Sequence, residues 1–589
     1  QALGSNTTAD NNTAVGFQSL LSNTTGTANV AVGLQSIYYN QTGSKNVGVG
    51  NNSLGAGGAG GSFSSNTAVG FDALREVTTG SNNVAIGTCA LENNTTANEN
   101  VAVGRCSMFA NTTGTQNVAI GSYSLDSNTT GDHNVAMGYL ASCTMTDGNR
   151  NVGIGRAALQ SSTTPNDNTA VGDQSLGNNS TGAGNTAIGR AAMLGNTTAS
   201  DNTAIGCYAV LSNTTGIRNL GISKCALGNN TTASDNMAIG VCALKTSQTA
   251  GDNMAIGNFS LRDNTSGNNN TSIGLSAMKE NTEGISNTVV GRSALCANTT
   301  ASNNTAVGRS ALAANTTADN NTAVGRSALG ANTTGTANAA VGCGALDANT
   351  TGSNHTAMGR NALTSNTTSS SNSAFGGNSL NNNTTGSFNT AVGYDALLLN
   401  TTANNNTAVG TDSLRANTTG TNNSSFGRFA LTANSTGSSN TAGQQNSAFG
   451  VNSMESNTTG DNNAAFGVGS LGVNTTADNN VAVGHGALAA NTTAPNNTAV
   501  GFSSLRTTTT GNHNTSVGSC ALCTNTTGDR NTAVGSQSLF NMTGSGDRNN
   551  TAVGYSAGNS VTTGSNLTLL GYDAEPSSAT ATNEITLGD

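Results

Sequence analysis

Charge is scarce in this chain of 589 residues: only 8% are Asp, Glu, Lys or Arg, and the net charge is −9. The lysines are Lys45, Lys224, Lys245 and Lys279 alone, and no basic cluster exists. That excludes a nucleic-acid groove, which needs clustered Lys and Arg to displace counterions. No run of about 18 apolar residues occurs, so no helix spans a membrane. Trp is absent, Pro occurs 3 times, aromatics make up 4% and hydrophobic residues 34%. Composition of this kind, rich in Asn, Thr, Ser and Gly, ordinarily marks disorder.

What is present instead is register. The block Asn-Thr-Ala-Val-Gly, two variable residues, Ala/Ser-Leu and then Asn-Thr-Thr-Gly returns throughout. The Gly closing the first block can be followed from Gly16, Gly33 and Gly50 to Gly554, Gly571 and Gly588, through 34 positions with Ser223 standing in once. Thirty of the 33 spacings are 17 residues; the exceptions are Gly50 to Gly70, Gly427 to Gly450 and Gly535 to Gly554. A disordered chain has no use for a fixed period, whereas stacked copies of one unit require it. The reading is one continuous all-β parallel solenoid over 1–589, of about 34 coils. Insertions interrupt it near 54–64, 438–445 and 543–548, and terminal coils occupy 555–589.

With the repeat Gly as position 0, Ala is usual at −2, and Val, Ile, Met or Phe at −1. Ala or Ser follows at +3, Leu at +4, Asn-Thr-Thr-Gly at +7 to +10, and Asn at +13, which is −4 of the next coil. Two short apolar patches separated by Gly and Asn read as two strands joined by turns. Neither is stable alone, but stacking pairs each backbone with the coils on both sides, about 4.8 Å apart. The small +3 residue implies a narrow interior or close approach of another chain. Gly at 0 and +10 suits positive φ at corners, and Asn and Thr suit side-chain ladders between rungs. Phe375, Phe426, Phe449 and Phe466 replace the aliphatic at −1, which reads as local widening of the core.

Asn-Thr-Ala-Val-Gly-x-x-Ala-Leu, as at 304–312, resembles the YadA-like head repeat of trimeric autotransporter adhesins. The nearest likeness is to the longer, Asn-Thr-Thr-Gly-containing form in tail-fibre-like proteins of phages and large viruses. The resemblance covers essentially the whole chain. It implies a left-handed β-roll, three chains wide, and about 34 coils would then make a rod roughly 160 Å long. The repeats are longer than in the adhesin heads, and no coiled-coil neck or membrane anchor is read within these residues, so a viral or extracellular fibre is the expectation. Residues 568–588 are similar to the closing segment of such arrays, often followed by a chaperone that cleaves itself off, so maturation near Asp589 is an expectation. Residues 1–8 align with 18–25, so the chain is expected to be a piece of something longer.

No residue is expected to be catalytic, and no cofactor or metal is expected. His133, His355, His485 and His513 lack metal-ligand spacing. Asp132, Asp201, Asp252 and Asp461 read as turn acids rather than calcium ligands, since the nonapeptide calcium repeat is missing. All ten cysteines fall at +1, +2 or +5. Cys89 with Cys106 and Cys225 with Cys242 share +2 on successive coils, and these, with Cys520 and Cys523, are candidates for disulfides. Small buried thiols are the alternative. Arg156, Asp173 and Arg190 occupy +1 on three consecutive coils, an alternating stack suited to pairing between rungs. Arg292, Arg309 and Arg326 repeat +1 without relief, as an exposed row or an anion- or glycan-binding ladder. Asn23, Asn111, Asn315, Asn332 and Asn417 head sequons that a secretory route could glycosylate.

The function expected is structural: the shaft or head of a trimeric extracellular or viral fibre, without enzymatic activity, presenting a receptor-binding end. Its partners are expected to be further copies of itself and a host-surface glycan or protein, at an extracellular or virion surface. The alternative is a repeat adhesin or matrix filament binding glycans laterally through its Asn, Thr and Arg ladders. Ice binding fits less well, because adjacent threonines at +8 and +9 point to opposite faces of a strand. An enzyme acting on surface polysaccharide is the remaining alternative.

Overall fold

The computed structural model describes all residues except 56, 59, 433–444 and 589. Contacts divide them into two compact units, Gln1–Arg292 with Asn298–Thr300, and Ser293–Ala297 with Ala301–Asp589. Both are parallel β-solenoids, and no helix occurs among the described residues.

Each coil of the first unit contributes one three-residue strand at −3 to −1, from Thr13–Val15 to Thr288–Val290. Each strand pairs in parallel with the same positions one repeat on, as in Thr186↔Thr203, Ala187↔Ala204 and Ile188↔Ile205. The longer 50–70 interval keeps this register, since Val47 still faces Thr67. The second unit repeats the pattern from Thr305–Val307 to Ile585–Leu587, with Ser424↔Ser447 and Thr532↔Thr551 across its two insertions. Residues 543–548 add a small second ladder, Gly546–Asp547 pairing with Gly528–Asp529. The 438–445 insertion lies outside the described residues apart from Gln445. Within 54–64, Gly61 bridges to Asn40 and Phe63 fills the core.

The second apolar patch is not a strand. Its +2 and +4 residues are left-handed in coil after coil, for instance Tyr123 (φ 59°) and Leu125 (φ 50°). The chain still stacks, and its N–H groups point alternately to both neighbours. Tyr123 N–H donates to Arg105 O at 2.9 Å, and Leu125 N–H to Ala141 O at 2.9 Å. A strand sends consecutive side chains to opposite faces, whereas here +3 and +4 both point inward, as Ser124 and Leu125 do.

The core is therefore Ala at −2, Ala or Ser at +3 and Leu at +4, wholly buried within their own coil. The small +3 side chain reflects a narrow interior rather than an approaching chain. Burying each leucine contributes roughly 1.5–3 kcal/mol. The −1 side chain faces outward. Phe426, Phe449 and Phe466 accordingly do not widen the core: they stack on the outer face at centroid distances of 4.6 and 4.7 Å. Phe375 is likewise exposed. Glycine is needed at 0, where Gly121 has φ 134°. At +10 the reason is space, not φ: a Cβ on Gly114 would lie 2.6 Å from Asn111 Oδ1.

Candidate functional site

Two asparagine ladders run inside the coils. At −4, Asn117 N–H donates to Asn100 Oδ1 at 2.9 Å, Asn117 Oδ1 accepts from Asn134 N–H at 2.8 Å, and Asn117 Nδ2 donates to Gly131 O at 2.8 Å. At +7, Asn111 Nδ2 donates to Asn94 Oδ1 at 3.1 Å and to Gly114 O at 3.0 Å. Thr at +8 adds a third ladder, Thr112 Oγ1 donating to Thr129 O at 3.0 Å. The five sequon residues Asn23, Asn111, Asn315, Asn332 and Asn417 all belong to the +7 ladder and are wholly buried. Asn332 Nδ2 bonds to Asn315 Oδ1 at 3.0 Å, and Asn417 Nδ2 to Asn400 Oδ1 at 2.9 Å. A sugar on Nδ2 would have to displace these bonds, so the folded coil leaves no room for glycans there. In the folded coil the sequons are thus rungs of a buried ladder rather than exposed turns.

All ten cysteines are free thiols. Cys106 lies close enough to Cys89 to disfavour charge on it, as Cys242 does to Cys225, though burial is the larger cause in both. Cys520 and Cys523 share a hydrogen bond, and burial pushes the Cys523 thiol up to about 11. The ladder thus brings two of the pairs together as thiols, and the third pair lies within one coil.

Exposed rows occupy +1 and +2. Arg156 pairs with Asp173 at 2.8 Å, as the alternating stack predicts. Arg190 lies over the Tyr208 ring at 5.3 Å, and Arg105 over Tyr123 at 5.3 Å. Tyr555 and Tyr572 stack at 5.6 Å, and His485 on Phe502 at 5.5 Å. Arg292, Arg309 and Arg326 are all exposed, Arg292 in the first unit and the others in the second. Arg326 Nη2 meets Cys343 Sγ at 3.3 Å. At −5, Arg218 pairs with Asp235 at 2.7 Å and Arg150 with Asp167 at 2.6 Å, which holds both carboxyls below their usual range. Exposed pairs of this kind contribute little to stability. Of the turn acids, Asp132 is a coil-to-coil acceptor, its Oδ1 taking Thr115 N–H at 2.6 Å.

One cluster differs from these rows. Asp72 and Cys89 sit at +2 of successive coils and Glu92 at +5 of the second, with one ligand-type atom from each within 4.8 Å of the others. Asp72 and Glu92 are buried, each 7% exposed. Arg75 reaches Glu92 at 2.8 Å, Glu76 at 2.8 Å and Asp72 at 3.5 Å. Burial pushes the Cys89 thiol up to about 12, and a hydrogen bond to Glu92 adds to the effect. No protein-family model and no curated protein matches the chain. Sequence reasoning missed this cluster because it looked for histidine spacing. The signal was an acid, a cysteine and a second acid at 72, 89 and 92, which only the coil register brings together.

His355 is the other departure, taking the place of an Asn in the −4 ladder. It is buried, with Nδ1 accepting Asn372 N–H at 3.2 Å and Nε2 bonding Ser369 O at 2.7 Å. The ring therefore reproduces both functions of an asparagine amide as the neutral Nε2–H tautomer. Burial lowers its pKa below the ordinary 6.5. The unfolded chain then binds the proton more readily, so His355 favours the fold above about pH 6.5 and opposes it as pH falls toward its lowered folded-state value. His355→Asn is expected to remove this acid sensitivity from the second unit. Urea midpoints above and below the ordinary histidine range check it. His133, His485 and His513 are exposed.

Proposed function

We propose that the chain is a non-enzymatic structural and attachment element, the shaft or head of a homotrimeric extracellular or viral fibre of the YadA-like head type. The observation that carries this reading is the outward −1 side chain. In the first unit Ile86, Ile120, Ile188 and Ile205 stand 37–40% exposed along one sheet. Between 84 and 152 all five coils carry valine at −3 as well, so the outer apolar face is two residues wide over those coils. In the second unit Val341, Met358, Phe375 and Phe466 form the corresponding row. Exposed apolar surface repeated at every rung is what a further copy of the same chain would cover, and the resemblance of the repeat supplies the number three.

The native mass is expected to equal three 58.1-kDa chains. Ile120→Glu in the two-residue-wide segment is expected to weaken assembly at least about tenfold, since a buried unpaired carboxylate is costly. Analytical ultracentrifugation measures both. A monomer insensitive to Ile120→Glu would overturn the assembly, and a dimer the trimer.

The arginine–tyrosine contacts on the +1 and +2 rows favour a second reading, lateral glycan binding by a repeat adhesin. Aromatic faces beside guanidinium groups suit sugar rings and acidic substituents. Binding to a glycan array that survives Tyr123→Ala and Tyr208→Ala would remove it.

A further inference from the structure

We propose that Asp72, Cys89 and Glu92 form a site for a borderline-soft divalent cation, of which Zn²⁺ is the physiological example. The solenoid builds it: one repeat places Asp72 directly beside Cys89 at +2, and Glu92 turns toward the same point from +5. The three donor atoms lie within 4.8 Å of one another, a spacing one ion can bridge.

A second observation, independent of the clustering, points to a ligand. Asp72 Oδ1 is shielded from solvent and has no hydrogen-bond partner, although the side chain is only 10% exposed. A buried carboxylate oxygen left bare is costly unless something positive meets it. Arg75 does not meet it: its Nη1 approaches the other oxygen, Oδ2, at 3.5 Å. The same guanidinium is divided between Glu92 and Glu76, each at 2.8 Å. One cation thus serves three carboxylates, two of them buried, and buried charges are ordinarily paired or metal-bound.

The donor set selects the ion. A thiolate with two carboxylates suits Zn²⁺, whereas Ca²⁺ and Mg²⁺ take all-oxygen sets. Binding releases the Cys89 proton to solvent, leaving sulfur as the anionic donor. Three protein donors are one short of the usual four, and Cys106 is the next thiol on the same +2 row. A cleft lined by Tyr38, Tyr39, Arg75 and Glu76 lies on the Arg75 side of the cluster.

The test is Co²⁺ titration of the full chain under reducing conditions, read by thiolate-to-cobalt charge-transfer absorption in the near ultraviolet. The wild type is expected to develop the band at one Co²⁺ per chain, reversed by Zn²⁺. Cys89→Ser should abolish it. Asp72→Asn should weaken apparent affinity at least about tenfold, as loss of a metal-supporting group does, with circular dichroism unchanged. Cys225→Ser, a +2 thiol outside the cluster, should leave the band intact. A band retained in Cys89→Ser, an affinity unchanged in Asp72→Asn, no band in the wild type, or a Cys89–Cys106 disulfide in the native chain would each overturn the site.

Discussion

Gly121→Ala is expected to destabilise the coils around it by about 4 kcal/mol, the sum of backbone strain and a steric clash with no flexible partner. Gly121 has φ 134°, outside the range L-residues adopt readily. A methyl group there would also lie 2.5 Å from Gly138 O and 2.7 Å from Gly138 C, atoms of the next coil's backbone. A side chain could swing away, but a carbonyl held in a ladder cannot move without shifting the rung behind it. Ser223 is the internal control. It stands at position 0 with φ 106°, the one L-residue in this place. Ser223→Gly is therefore expected to stabilise the first unit by about 1 kcal/mol through relief of strain. Urea denaturation gives both values. Amide exchange should localise the Gly121→Ala effect to neighbouring coils, because stability in a solenoid is a sum of nearest-neighbour contributions. Equal stability of Gly121→Ala and wild type would refute the close-approach explanation of the repeat glycine.

Asn117→Ala is expected to cost about 2–4 kcal/mol from one missing amide. Removing it strands Asn134 N–H, which Asn117 Oδ1 accepts at 2.8 Å, and takes from Gly131 O the nearer of its two donors, leaving Asn128 Nδ2 at 3.1 Å. The orphaned buried N–H costs about 1–3 kcal/mol, and the void adds to that. His355 shows that the geometry, rather than asparagine itself, is what the ladder needs. It meets an N–H with Nδ1 and a carbonyl with Nε2, as an asparagine would. Asn117→His should thus lose less than Asn117→Ala at neutral pH and fall toward it in acid, as the ring gains its second proton. If both variants matched wild type, the buried ladder would have no energetic role. The exposed ion pairs provide the contrast: Arg218→Ala, which removes the 2.7 Å contact to Asp235, should leave the urea midpoint essentially where it is.

Much of the architecture was legible from spacing. Equal intervals between Gly16, Gly33 and Gly50 demand that like positions stack, and the strands Thr13–Val15, Val30–Val32 and Val47–Val49 do so in register. The insertions were legible as interruptions, because parallel pairing resumes at the same positions after each of them. The sidedness of a coil was not. Ala and Val at −2 and −1 look equally apolar in the sequence, yet Ala119 is buried and Ile120 exposed. Three residues are too few for periodicity to assign a face. The Ala/Ser-Leu patch misled for a related reason, since left-handed residues at +2 and +4 are visible only in the backbone. Sequons failed as surface markers because Asn-x-Thr here is a rung of a buried ladder.

The period alone determined that this chain is a stacked parallel solenoid, for identical residues at identical intervals can satisfy their backbone groups only against one another. Only the tertiary structure decided what each position faces. Curvature at the left-handed residues turns Leu125 and Asn117 inward and leaves Ile120 outside. Closure of successive coils brings Asp72 of one coil to Cys89 and Glu92 of the next, around one point. Depth and convergence belong to the closed coil, and no single repeat contains them.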